Sequence, residues 1–301
     1  MKWVVSGGTG FIGTALVRSL EGAGHEVVVL SRRAGRSEGR TRQVAWTPGE
    51  PGPWMSELDG ADVVVHLAGA GVMDKRWSAE RLEEIRRTRV EPGRLIAEAI
   101  AGASHRPRVL VSGSAVGIYG MRMDDAELAE ETAAGSDVLA KICVEWEQCA
   151  DSARAAGVRV VHPRTGIVIG TEGGALAKML PAFKAFVGGP LGSGRQWVPW
   201  VRRDDVVGAI TFAADSDRIV GPFNVTAPSP VRMRELAEVI GRVLRRPSLM
   251  PVPAAALRLM LGGGAEALLT GQRAIPAKLL EAGYPFRFPA LEDALRDLLR
   301  T

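Results

Sequence analysis

The chain opens with short, almost wholly apolar runs. Longer stretches separate them, in which apolar residues recur at every third or fourth position. The runs are Lys2–Ser6, Glu26–Ser31, Val63–Ala68, Arg108–Ser112 and Val158–Pro163. Unbroken apolar runs of this length predict strands buried on both faces of a parallel sheet. Between the first two, Gly10–Leu20 lines Ile12, Ala15, Leu16, Ser19 and Leu20 along one side of a helix. Ser78–Ile100 is charged on one face and predicts a long helix interrupted at Pro92. Val138–Ala156 carries Leu139, Ile142, Trp146, Cys149 and Ala153 at helical spacing. The alternation of strands and helices predicts an α/β fold built on a doubly wound parallel sheet.

The alternation ends near Gly170. A Gly/Pro-rich segment follows at 188–206, GGPLGSGRQWVPWVRRDDV. A helix at Asp205–Ala214 and a short strand at Pro222–Thr226 are expected to return to the sheet. From Ala227 the pattern is helical and punctuated by prolines. The predicted division is a sheet domain of residues 1–170 plus about 203–227, and a small C-terminal lobe of 171–202 plus 228–301.

Composition removes several classes. Of 301 residues, 46% are hydrophobic and 24% charged, so the chain is not disordered. The net charge is +4, and residues 32–42, RRAGRSEGRTR, hold five arginines and one glutamate. That segment accounts for the whole excess. A nucleic-acid binder spreads its basic residues along a face; a single basic loop suits a phosphate-bearing small ligand. No apolar run reaches the length of a membrane helix, and the start lacks the apolar core of a signal peptide. The expectation is a cytoplasmic protein with a small-molecule substrate, no nucleic-acid or membrane partner, and at most a second copy of itself. Cys143 and Cys149 would lie about 240° apart around a helix and should not pair. Four scattered histidines and no zinc spacing give no metal site.

The strongest chemical signal is Gly7-Gly8-Thr9-Gly10-Phe11-Ile12-Gly13, between the first strand and the first helix. Glycines there allow a tight turn, close approach of backbone to a pyrophosphate, and close helix–strand packing. The helix N-terminus offers free N–H groups to the phosphates. The cofactor contacts expected are Gly7, Thr9, Gly10, Phe11, Ile12 and Gly13. The second strand ends Leu30-Ser31-Arg32-Arg33, with no acid to bind a ribose 2′-hydroxyl. Ser31 and the guanidiniums of Arg32 and Arg33 suit a 2′-phosphate, so the expected cofactor is NADP(H).

The stretches GGTGFIG (7–13), HLAGAGV (66–72), VSGSAVGIYG (111–120) and RTGIVIG (164–170) resemble the extended short-chain dehydrogenase/reductase superfamily. The later blocks GGALAKMLPAF, GGPLGSGRQWVPW, NVTAPSPV and LTGQRAIP resemble its atypical epimerase-family branch. The resemblance runs from residue 1 to about 298. It implies a Rossmann-like NADP-binding domain with a small substrate lobe. It also implies that Leu67, Ala68, Gly69 and Ser112 pass beside the cofactor, with Arg164 and Thr165 near the nicotinamide. Arg164 would hold a substrate anion or a structural carboxylate.

In that superfamily a Ser/Thr, here Ser114, bonds the substrate, and a Tyr-x-x-x-Lys pair moves the proton and holds the ribose. Here the matching stretch reads Asp137-Val-Leu-Ala-Lys141, which keeps the lysine and loses the tyrosine. Asp137 is either an acid–base group or, as we favour, a helix cap. Tyr119 is the phenol within reach. Trp77, Arg195, Trp197 and Trp200 are the expected substrate wall, with Gln196, Arg202 and Arg203 beside them. The implied function is an NADP(H)-dependent oxidoreductase or epimerase-like enzyme acting on a small polar substrate. A non-catalytic NADP(H) sensor or scaffold is the alternative that the missing tyrosine leaves open.

Overall fold

The computed structural model describes residues 1–33, 35 and 39–299. Arg36 of the basic loop lies outside the described residues. Seven parallel strands form the central sheet: β1 (Lys2–Ser6), β2 (Glu26–Ser31), β3 (Thr41–Ala45), β4 (Val63–His66), β5 (Val109–Ser112), β6 (Arg159–Thr165) and β7 (Gly221–Val225). Their spatial order is β7-β6-β5-β4-β1-β2-β3, and the two-residue strand Ser114–Ala115 extends the sheet beside β6. The principal helices are α1 (Phe11–Gly22), α2 (Ala79–Gly102), α3 (Val138–Gln148), α4 (Gly174–Lys184), α5 (Arg203–Asp215), α6 (Met233–Leu244) and α7 (Leu291–Leu299). The architecture is the expected doubly wound, Rossmann-like sheet.

Side chains alternate across each strand, so each face of the sheet builds its own core. Trp3, Val5, Val27, Val29 and Val65 meet Leu16 and Leu20 of α1 and Ile210 of α5. On the opposite face Val4, Val28, Leu30 and Val64 meet Ile96, Ala97 and Ile100 of α2. Each Val, Leu or Ile among them contributes about 1.5–3 kcal/mol when fully buried. A separate cluster joins Leu176 and Phe183 of α4, Trp200, Leu236 and Ile240 of α6, and Leu295 of α7.

Four elements differ from the pattern's prediction. β3 was hidden inside the basic loop: TRQVA is a polar edge strand, and its Arg42 pairs with Glu57. β4 stops at His66, two residues early. Pro92 lies buried within an uninterrupted α2. The helix tolerates it because packing outweighs the local cost. Finally, the predicted helix 138–156 is two helices, α3 and Asp151–Ala155. At the break the Cys149 thiol donates to the Trp146 carbonyl, 2.9 Å away. Cys143 and Cys149 are buried free thiols, both pushed up to about 12 by burial. Among the described residues no helix is long and apolar enough to cross a membrane, and no cluster of His, Cys, Asp or Glu is placed to hold a metal.

Candidate cofactor site

β1, β2, β4 and β5 deliver their carboxyl ends to one edge of the sheet, where ligands of open α/β sheets bind. The Gly-rich loop crosses that edge between β1 and α1. Gly7 has φ +76°, and a Cβ on it would lie 2.7 Å from the Ala68 amide nitrogen. A Cβ on Gly13 would overlap the Gly7 carbonyl and come within 2.7 Å of Gly8 Cα. These two glycines are therefore required for packing. Gly10 differs: a Cβ there would meet only the Gly7 carbonyl oxygen, at 3.3 Å, and its outer side is open. Gly10 is also the N-cap of α1, contributes no side-chain cap, and no acidic residue occupies the first turn. The first N–H groups of α1 thus face outward without a competing carboxylate, as a bound pyrophosphate requires.

Thr9 and Gly10 are exposed at the rim, while Ile12 packs on the core. Phe11 lies against Gly170, Gly173 and Gly174, and Arg203 stacks on its ring at 4.9 Å. Arg203 also pairs with Glu172, 2.6 Å away. Beyond β2, Arg32 and Arg33 are exposed, and among the described residues neither makes an ion pair. The Arg33 amide reaches Ser31 Oγ at 3.4 Å. Leu67 and Ala68 line the turn after β4. The guanidinium of Arg89 from α2 lies against Gly69, 3.0 Å from where its Cβ would be.

The expected catalytic groups are distributed differently. Ser114 Oγ donates to Glu147 Oε1 at 2.7 Å and is buried. Arg164 grips the same carboxylate at 2.8 and 3.0 Å, and also donates to the Tyr119 hydroxyl at 3.1 Å and the Glu130 carbonyl at 2.9 Å. The Tyr119 hydroxyl donates onward to Asn224 Oδ1 at 2.7 Å. Of the two partners considered for Arg164, this is the structural carboxylate. Burial pushes Glu147 up, but the Arg164 guanidinium more than offsets this and holds it below the usual carboxylate range. Burial pushes the Tyr119 phenol above its ordinary value. Tyr119 is 1% exposed, so the phenol is sealed away from the cleft.

Asp137 is the N-cap of α3. Its carboxylate accepts from Leu139 N, Ala140 N and Met121 N at 3.0, 3.1 and 2.7 Å. Lys141 is exposed one turn on. The face of α3 turned toward the strand ends instead carries Leu139 and Cys143, which flank Gly117, then Trp146 beside Gly113, and Glu147. The i, i+4 pair on that face is thus Leu139 and Cys143, two residues later than Asp137 and Lys141.

Ser112 is buried, and its carbonyl accepts from His162 Nδ1 at 3.1 Å. Thr165 is half-buried at the end of β6. Of the expected substrate wall, Trp200 is fully buried core, its indole N–H donated to the Ser229 carbonyl at 3.0 Å. Arg202 is buried between Asp204 and Asp297, at 2.9 and 2.8 Å. Trp77 packs on Gly264 and donates to the Val72 carbonyl at 2.9 Å. Trp197 is half-buried, bonded to Asp125 at 2.9 Å with Arg232 stacked at 4.0 Å. Arg195 is exposed, and Gln196 is buried with its amide nitrogen on the Leu191 and Leu268 carbonyls. Trp200 and Arg202 are thus buried, while Trp77, Arg195 and Trp197 are at least partly accessible. Sequence reasoning did not single out Glu147, Asn224 or Arg89. A lone charged residue in an amphipathic helix carries no local signal of burial.

A glycine-walled helix N-terminus at the carboxyl edge of this sheet defines a dinucleotide-binding α/β protein, and residues 3–226 match the model of the NAD dependent epimerase/dehydratase family. The chain belongs to that family. Residues 252–298 match a second model, a domain of unknown function (DUF1731). Among its relatives, the chain is 40% identical to the Arabidopsis thaliana epimerase family protein SDR39U1 homolog, chloroplastic, over 98% of this chain and 86% of that protein. Among solved structures, it resembles human epimerase family protein SDR39U1 (isoform 2) with NADPH, with a TM-score of 0.88, 33% identity and 99% of both chains covered. It also resembles the nucleoside-diphosphate sugar epimerase from Corynebacterium glutamicum, with a TM-score of 0.80 and 33% identity, covering 99% of this chain and 58% of that one.

Proposed function

We propose that this chain is an NADP(H)-dependent oxidoreductase or epimerase-like protein of short-chain dehydrogenase/reductase type, acting on a small polar substrate. The observation that carries the reading is the open N-terminus of α1 at Gly10 together with the exposed guanidiniums of Arg32 and Arg33, which make no ion pair among the described residues. The loop Gly7–Gly13 would hold the pyrophosphate. Ser31, Arg32 and Arg33 would hold the 2′-phosphate, and Leu67–Gly69 would border the rest of the cofactor. The human relative solved with NADPH supports this choice. When bound, the cofactor supplies or accepts a hydride at its nicotinamide ring. Residues 1–170 with 203–227 form the cofactor unit in this reading, and the remainder forms the substrate lobe. Buried free thiols suit a reducing cytosol.

The chain's own contribution to proton transfer is small in this reading. Ser114 and Tyr119 are bound into the Glu147–Arg164 network, and α3 presents Leu139 and Cys143 where an acid–base pair would stand. That observation favours a second reading, an NADP(H) sensor or scaffold. The deciding experiment follows absorbance at 340 nm with NADPH and carbonyl compounds and with NADP⁺ and nucleotide-linked sugars, and separates the sugar products by chromatography, because epimerisation leaves the cofactor unchanged overall. Nucleotide-linked sugars come first, given the Corynebacterium relative. Turnover with any substrate supports the first reading. Tight NADPH binding without turnover on the whole panel supports the second.

A further inference from the structure

Two helices, α4 and α6, end in the same unusual way. After α4 the Val187 amide closes back on the Ala182 carbonyl at 2.9 Å, and after α6 the Arg246 amide closes on the Gly241 carbonyl at 2.8 Å. This closure puts the residue before each amide in the left-handed region, where glycine is the usual occupant. Here the occupants are Phe186, with φ +63°, and Arg245, with φ +55°, the two non-glycine residues of positive φ among the described ones. Glycine would close both helices without strain. The chain instead holds a phenylalanine and an arginine there, both exposed. The two helix ends lie together. The Met250 amide donates to the Gly188 carbonyl at 3.2 Å and the Val252 amide to the Pro190 carbonyl at 2.9 Å. The Arg246 guanidinium stacks on the Phe186 ring at 4.3 Å.

The surface so formed is apolar with a basic rim. Phe186, Val187, Leu249 and Met250 are all exposed, Leu249 by 84%. No aspartate or glutamate occurs in residues 173–203 or 239–265, which build it. Of the cations in the second segment, Arg242 pairs with Glu292 and Arg258 with Glu266. Lys184, Arg245 and Arg246 are exposed and make no ion pair among the described residues. Apolar side chains gathered on a surface mark an interaction site. Charge and shape select the partner. A second copy docked face to face would set these cations against themselves. Leu249 stands out into solvent and lines no groove, which suits a soft apolar phase better than a protein surface. We propose that the ends of α4 and α6 form a surface that docks on an anionic lipid bilayer. The apolar side chains enter the headgroup boundary, and Lys184, Arg245 and Arg246 meet the lipid phosphates. The expectation of no membrane partner rested on spanning segments; a contact at the headgroups needs none.

The test is cosedimentation of the full chain with vesicles of phosphatidylcholine containing phosphatidylglycerol, and with vesicles of phosphatidylcholine alone. One variant combines Leu249→Ser with Met250→Ser. The other combines Lys184→Gln, Arg245→Asn and Arg246→Gln, since asparagine tolerates the left-handed conformation. Thermal melts confirm that both fold. Leu249→Cys carries an environment-sensitive dye; Cys143 and Cys149 are buried, so the label goes to the new thiol. The expected result is binding to the anionic vesicles that weakens as salt is raised, with little on phosphatidylcholine alone. Each cation removed should weaken binding about fivefold, and the triple variant about a hundredfold. The apolar pair should lose at least about tenfold, and the dye should shift to the blue on binding. Wild type that stays in the supernatant with anionic vesicles overturns the proposal. So does binding unchanged in either variant, or a dye that does not shift. Self-association that the variants abolish, without vesicle binding, overturns it in favour of a second copy. A protein that binds through Leu249 and Met250 where vesicles do not overturns it in favour of a protein partner.

Discussion

Glu147→Gln removes the only carboxylate that Arg164 grips among the described residues, while leaving the side-chain volume nearly unchanged. Arg164 is 7% exposed, so the variant strands a guanidinium that water cannot reach. Breaking a buried pair from one side costs about 3–5 kcal/mol. The unfolding entropy of a 301-residue chain is about 0.6 kcal/mol per kelvin, so the melting temperature should fall by about 5–8 °C. Ser114→Ala removes one hydrogen bond to the same carboxylate and should cost about 1 kcal/mol, or about 2 °C. Adding Arg164→Met to Glu147→Gln removes the stranded charge and should recover part of the loss. Thermal melts of the four proteins at pH 7 are the assay. The reasoning fails if Glu147→Gln melts within about 2 °C of wild type. It fails equally if the double variant is no more stable than Glu147→Gln alone.

Other consequences are as direct. His66 and His162 are buried and neutral, each pushed down to about 4 by burial. The unfolded chain protonates them near 6.5, so it binds more protons between about pH 6.5 and 4. Stability is therefore present above that window and lost as pH falls through it, at up to about 2.7 kcal/mol per pH unit for both together. Urea midpoints from pH 7 to 5 that do not fall would refute this. Asp137→Asn should fold and work nearly as wild type, whereas Asp137→Ala should cost about 1–2 kcal/mol and lose the Met121 contact; a large loss of turnover in a well-folded Asp137→Asn would instead make it an acid–base group. Gly10→Val should abolish NADPH binding while changing the melting temperature little, because its outer side is open in the protein alone; wild-type affinity in that variant would place the cofactor elsewhere.

The sheet was legible because its strands are buried on both faces, so their apolar runs are continuous in the sequence. The Gly-rich loop was legible because glycine is required at Gly7 and Gly13 for reasons of space alone. β3 was hidden because an edge strand exposes half its residues, and Thr41–Ala45 is coloured by Arg42. Pro92 misled because a local penalty was weighed without the burial that overrides it. The site beyond the loop was harder. Ser114, Tyr119 and Arg164 are polar residues near strand ends, and only the fold shows that Glu147 and Asn224 claim them. The cap at Asp137 was legible from its place before the helical pattern, whereas only the fold shows that Lys141 is exposed. Trp200 looked like a cleft residue because it follows a Gly-rich loop, yet it is wholly buried in the cluster of α4, α6 and α7.

The central claim is that the loop after β1 and the arginines after β2 together form an NADP(H) site. Calorimetric titration of the purified wild-type chain with NADPH and with NADH, under identical buffer and salt, tests it most directly. A charge-assisted bond contributes roughly 1.5–3 kcal/mol, so NADPH should bind at least about tenfold more tightly, and Arg32→Ala with Arg33→Ala should erase that preference. Equal affinities for the two cofactors, or a preference unchanged in the double variant, would contradict it.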